Sequence, residues 1–105
     1  MCPTVVTKGG KPVLALGATG GRRIPNTLFD VLAYRFGERR ELADAVKAPR
    51  VHTEGGLALS LEATWPAAVG DHFKKVGYEV KTGGGASLSA IERDPATGVL
   101  RTASR

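Results

Sequence analysis

Gly17, Gly20 and Gly21, running into Arg22 and Arg23, are the residues of this chain best suited to chemistry. They sit in the run Pro12-Val13-Leu14-Ala15-Leu16-Gly17-Ala18-Thr19-Gly20-Gly21-Arg22-Arg23-Ile24-Pro25, where an apolar, strand-like stretch enters a glycine-rich loop and then a helix start. Glycines let the backbone turn sharply and bring its N–H groups against a ligand with no side chain between. Two chemistries use such a loop: binding of a phosphate, and binding of the oxyanion that develops in acyl transfer.

The phosphate reading takes Gly17, Gly20 and Arg23 as the fingerprint positions of a dinucleotide-binding turn. It fails at the third, where arginine stands at a point that needs close helix–strand packing. Arg22 and Arg23 remain candidate anion contacts, because guanidinium groups beside a glycine loop favour anionic partners. The second glycine run, Gly83-Gly84-Gly85, is not followed by the lysine and hydroxyl residue of a phosphate loop and reads as a flexible hairpin loop. His52 reads as structural, and His72, beside Asp71, as solvated. No partner at metal-ligand spacing accompanies either. Cys2 has no base near it in sequence and reads as a small packing residue.

The elements that must position the loop follow from local signals. Thr4 to Lys8 and Lys11 to Leu16 flank the Gly9-Gly10 turn and predict a β-hairpin. Pro25 opens a helix whose apolar face is Leu28, Val31, Leu32 and Tyr34 to Phe36, ending at Gly37. The hairpin thus delivers the loop onto a helix amino end, where partial positive charge favours an anion. A second helix is expected from Glu38 or Arg40 to Lys47, stopped by Pro49. Arg50 to Thr53 and Leu57 to Leu61 read as extended around Gly55-Gly56. A third helix is expected from Pro66 through Val76, with Gly77 as its cap. Tyr78 to Lys81 reads as a strand. Ser87 to Arg93 is too mixed to assign a buried face, and Val99 to Ala103 returns after the turn at Asp94 to Gly98. Strands in hairpins with about three helices between them predict an α+β fold.

Composition narrows the function classes. The 105 residues fit one domain or segment, with 42% hydrophobic residues and a lean aliphatic core. The net charge of +5 is scattered, with no basic run and no aromatic RNA-binding signature, which argues against nucleic acid as a partner. One cysteine excludes a disulfide scaffold. No stretch approaches the ~20 apolar residues of a membrane span, and Met1-Cys2-Pro3-Thr4 leads into no signal-type run.

Several motifs in order point to one family. Met1-Cys2-Pro3-Thr4-Val5-Val6, Lys8-Gly9-Gly10-Lys11-Pro12 and Gly17-Ala18-Thr19-Gly20-Gly21-Arg22-Arg23-Ile24 resemble the carboxyl-terminal part of the small subunit of gamma-glutamyltransferases, also called gamma-glutamyltranspeptidases. Leu42 to His52, with Ala48-Pro49-Arg50-Val51-His52, is similar to the family's Ala-Pro-Arg-Phe-His segment. Gly77-Tyr78-Glu79-Val80 and Thr102-Ala103-Ser104-Arg105 resemble two later family stretches. Where the family commonly has Gly-Ser-Pro-Gly-Gly-Ser-Arg, this chain has Ala18, Thr19 and Arg22 in place of serine, proline and serine.

The resemblance implies part of the four-layer α-β-β-α fold of N-terminal-nucleophile hydrolases, with strands completing sheets begun upstream. It implies that Gly20 and Gly21 form the oxyanion hole and that the substrates are gamma-glutamyl amides such as glutathione. No metal or organic cofactor is required by that chemistry. The nucleophilic threonine and the paired serines that hold the substrate carboxylate are expected upstream of Met1. The partner is then the upstream portion or large subunit of the same enzyme, the isolated chain is expected to be inactive, and upstream sequence sets the compartment. The alternative is a stand-alone binding or assembly module without catalysis, pairing exposed strand edges with another copy.

Overall fold

Gly9 and Gly10 both adopt positive φ, 58° and 78°, the conformation that a two-residue hairpin turn demands and that glycine adopts without strain. The computed structural model, which describes residues 1–105, accordingly pairs β1 (Thr4–Lys8) antiparallel with β2 (Lys11–Thr19). On its other edge β2 pairs with a strand spanning Ser87–Arg93, which pairs in turn with one spanning Leu100–Ser104. The hairpin therefore forms half of an antiparallel four-stranded sheet.

Two of the helices cover one face of that sheet. After a single 3₁₀ turn at Gly21–Arg23, α1 (Ile24–Leu32) starts with Pro25 in its first turn, and the chain continues as a wider π-helical turn over Ala33–Gly37. Arg39 then takes a left-handed φ of 57°, so the expected second helix cannot run through Glu38 to Arg40. It is α2 (Leu42–Lys47), and Ala48 leaves it in an extended conformation, as the residue before a proline favours. Ile24, Leu28 and Val31 of α1 and Leu42, Ala45 and Val46 of α2 pack on Leu14, Leu16, Ala18, Leu88 and Ala90 of the sheet.

A second, three-stranded sheet begins with the hairpin of β3 (Val51–Thr53) and β4 (Ala58–Leu61) around Gly55. From β4 the chain crosses through α3 (Ala67–Val76), ends it at Gly77 with φ 115°, and returns as β5 (Glu79–Thr82) parallel to β4. One parallel pair thus joins the hairpins, because a helix, not a tight turn, connects these two strands. The last two strands are β6 (Ser87–Arg93) and β7 (Leu100–Ser104). In β6 the even positions Leu88, Ala90 and Glu92 point inward. Glu92, only 6% exposed, hides the alternation from a hydropathy reading, and Arg35 from the π-turn bonds it at 2.6 Å.

The outer face of the four-stranded sheet carries no helix. Val5, Ala15, Gly17, Ser89, Ile91 and Thr102 line a groove of about 630 Å³ there, and no charged side chain contributes. Cys2 stands exposed near this face, so it is not the packing residue its size suggests.

Candidate functional site

The glycine loop sits where β2 leaves the sheet and α1 begins. Gly20 has φ 144° and Gly21 has φ 61°, conformations that L side chains resist. The Gly20 carbonyl accepts the Arg23 amide at 3.3 Å, and the Gly21 carbonyl accepts the amide of Ile24. Both carbonyls are thereby turned back into the first helical turn, and no side chain caps its start. Amides at the start of a helical segment have no intrahelical acceptor, so those of this corner have no partner within the helix.

Arg22 and Arg23 diverge from the loop. Arg22 lies on the surface and pairs with Glu54 at 3.1 Å, a contact that, with the His52 imidazole at 3.5 Å, holds the Glu54 carboxyl below its ordinary range. Arg23 has no ion-pair partner. It lines a cleft of about 400 Å³ together with Gly20, His52, Ser60 and Lys81. Lys81 on β5 carries no local sequence signal that ties it to the loop.

His52 is structural in the sense expected. Its Nδ1 faces the Asn26 amide nitrogen at 2.9 Å, and Asn26 also donates to the Thr53 carbonyl at 2.8 Å, tying α1 to β3. His72 is exposed on α3, edge-on to Phe73. No three His, Cys, Asp or Glu side chains converge where a metal ion could be held.

The second glycine run is not the hairpin loop expected, because it joins β5 of the three-stranded sheet to β6 of the four-stranded one. A side chain on Gly85 would come within 2.5 Å of the Glu62 carboxylate, and one on Gly83 within 3.5 Å of Ser60 and Arg23. Gly84 between them faces open space, and the segment leads into Ala86, which is buried. A Cβ on Gly20 would meet the Ala86 Cβ at 2.6 Å and its Cα at 2.9 Å. The first glycine loop therefore lies against the residue that follows the second run, which neither run discloses alone.

Beneath them lies a charge cluster. Arg50, 3% exposed, donates from Nη1 to the Ala86 carbonyl at 2.7 Å and from Nη2 to the Val46 carbonyl at 2.9 Å. Its backbone N–H donates to Glu62 Oε2 at 3.0 Å, while Glu62 Oε1 accepts Arg105. Burial, reinforced by the neighbouring Arg105, pulls the Arg50 guanidinium below its ordinary range. Nearby, Asp30 accepts the Val51 amide at 2.9 Å. Arg50 lies within the Ala-Pro-Arg segment already singled out, the one sequence signal that points to the cluster; Glu62 carries none.

Burial raises the Asp30 carboxyl above its ordinary 3.8, against the opposing pulls of the Val51 amide and Arg50. Between 3.8 and the raised value the folded state holds more protons than the unfolded one, so this group's contribution to stability falls as pH rises through that interval. Asp30→Asn keeps an acceptor for Val51 but cannot ionise. The difference in urea midpoint between wild type and variant, followed from about pH 3.5 to pH 7, moves in the variant's favour as pH rises. A difference independent of pH would show that Asp30 ionises equally easily in both states.

The sequence profile of the gamma-glutamyltranspeptidase family matches residues 1–104. The chain is 35% identical over 98 residues to an acylase ACY 1 proenzyme of Pseudomonas sp. (strain SE83), covering 90% of this chain and 17% of that protein. To a glutathione hydrolase proenzyme of Bacillus subtilis (strain 168) it is 30% identical over 82 residues, covering 78% of this chain and 14% of that protein. The chain thus spans less than a fifth of the length of these curated relatives. The gamma-glutamyltranspeptidase of Pseudomonas nitroreducens superposes with a TM-score of 0.89 at 33% identity, over 99% of this chain and 56% of that one. A profile that runs almost end to end, on a backbone that superposes over its whole length, leaves one conclusion for the α+β fold and its glycine corner: the chain belongs to the gamma-glutamyltranspeptidase family and carries part of an N-terminal-nucleophile hydrolase fold.

Proposed function

We propose that this chain is the carboxyl-terminal segment of a hydrolase or transferase of gamma-glutamyl amides, and that Gly20 and Gly21 supply its oxyanion hole. A threonine outside the chain attacks the amide carbonyl, whose oxygen takes the negative charge. The C–N bond then breaks, the amine leaves, and water or an amino compound releases the gamma-glutamyl group from the ester. Backbone donors aimed at that oxygen act without reorganising, which is why such positions carry large rate effects. The observation that carries the reading is the corner itself: two successive glycines at positive φ, Gly20 in a conformation closed to other residues, both carbonyls folded back, at the start of α1.

Arg23 and Lys81 supply positive charge in the cleft beside Gly20 and favour substrates with an anionic group near the scissile amide. Arg22 is the weaker anion contact of the pair, because Glu54 already neutralises it. The uncharged groove on the outer face of the sheet supports a partner that covers it, namely the preceding portion or large subunit of the same enzyme. No helix is long and apolar enough to cross a membrane.

A chimera tests the reading. In the Bacillus subtilis glutathione hydrolase proenzyme, this chain replaces the matching segment, and release of amine from a gamma-glutamyl anilide is measured. The chimera is expected to turn over substrate and the 105-residue chain alone to be inert. A chimera that folds and matures without activity, or amidase activity from the isolated chain, overturns it. In that event the uncharged groove favours the other reading, an assembly module that covers it with a second copy.

A further inference from the structure

We propose that Ala86, held in place by Arg50, positions the Gly20–Gly21 corner, so that the Gly83–Ala86 segment sets the geometry of the oxyanion donors from behind. The inference rests on the oxyanion reading above. Neither Ala86 nor Arg50 is asked to touch substrate; both are positioning residues.

Three contacts carry it. Gly20 lies so close to Ala86 that no side chain fits between them, which makes Ala86 the surface against which the corner is set. β2 and β6 remain in register up to Thr19 and Ser87, so Gly20 and Ala86 are the first residues beyond the last paired rung. There the ladder no longer fixes their spacing, and something else must. Arg50 does so from beneath, joining the Ala86 carbonyl at 2.7 Å to the Val46 carbonyl near the end of α2 at 2.9 Å.

The segment is backed at two points. Gly85 lies so close to the Glu62 carboxylate that a Cβ there would displace it, and Gly83 stands in van der Waals range of Ser60 and Arg23. Glu62 is itself fixed by the Arg50 amide and by Arg105, whose guanidinium also donates to the Lys47 carbonyl at 2.9 Å. A displacement of Ala86 is therefore passed to Gly20, and a shift of about 1 Å in a catalytic group is worth up to a hundredfold in rate.

The test uses Ala86→Gly and Arg50→Lys in the intact enzyme that carries this chain, assayed well below each variant's melting temperature. Ala86→Gly removes the methyl group that meets Gly20 and keeps the carbonyl that Arg50 holds. It is expected to lower kcat on a gamma-glutamyl anilide about 10- to 100-fold, with KM within about twofold, since the donors act in the transition state. Hydrogen exchange in the peptide spanning Thr19 to Arg23 is expected to quicken. Arg50→Lys keeps the charge but loses the fork that reaches both carbonyls, and is expected to fall between wild type and Ala86→Gly in both readouts.

Unchanged exchange and unchanged kcat in Ala86→Gly overturn the positioning role and leave the oxyanion reading to stand on Gly20 itself. Faster exchange with unchanged kcat shows that Ala86 sets the corner but that the corner does not bind the oxyanion. That outcome overturns the catalytic part of the inference together with the reading beneath it.

Discussion

Gly20→Ala in the intact enzyme is expected to lower kcat by about 10²- to 10³-fold, the loss that follows removal of one oxyanion donor. Two effects act in the same direction. The backbone at Gly20, φ 144°, is closed to alanine, and the new methyl group would lie 2.6 Å from the Ala86 Cβ, so the corner must rotate or withdraw. Either movement turns the amide away from where the charge develops. Strain of this kind is worth about 1 to 3 kcal/mol, so the variant also melts lower. Gly21→Ala provides the contrast, because a Cβ there meets nothing within 4 Å and its φ of 61° is a left-handed conformation that alanine can hold. That variant is expected to lose about 1 to 2 kcal/mol of stability yet keep its amide in place, lowering kcat less than about tenfold. Steady-state kinetics on a gamma-glutamyl anilide separate the two. A folded Gly20→Ala enzyme with kcat within twofold of wild type would remove the corner from the chemistry.

The contrast between neighbouring glycines marks how far the sequence alone can be read. The hairpin was legible because Gly9-Gly10 sits between β-branched and apolar runs, and α1 and α3 because Pro25 and Gly77 punctuate them. These are local signals, and the structure follows them. The start of α2 was not legible: nothing in Glu38-Arg39-Arg40 shows that Arg39 takes a left-handed φ. Nor was the inward face of β6, since Glu92 occupies a core position only because Arg35, 57 residues earlier, reaches it. The same holds at the corner. Gly20 and Gly21 could be singled out from their place before Pro25, but the residues that back them come from three other parts of the chain. Ala86, Arg50 and Glu62 meet there through tertiary contacts, and Gly83-Gly84-Gly85 read as a hairpin loop because nothing local shows that it links two different sheets.

Glu62→Gln is expected to destabilise the fold from outside the corner. Glu62 joins two guanidinium-bearing residues, accepting the Arg50 amide 12 positions before it and the Arg105 side chain 43 positions after it. Its side chain is 12% exposed, and burial already disfavours the charge on Arg50. Removing the carboxylate leaves Arg50 and Arg105 without their shared counter-charge and turns an amide donor toward groups that themselves donate. Arg105 is exposed, so the pair is only half-buried, and losing a hydrogen bond to a charged group of this kind is worth about 1.5 to 3 kcal/mol. For a domain of this size that corresponds to a fall in Tm on the order of 10 °C, readable by thermal unfolding. Arg22→Ala serves as the control, because its pairing with Glu54 lies on the surface and is screened, and Tm should stay where it is. Equal, small shifts in both variants would mean that Glu62 is solvated in the native state and that the charge cluster does not brace the corner.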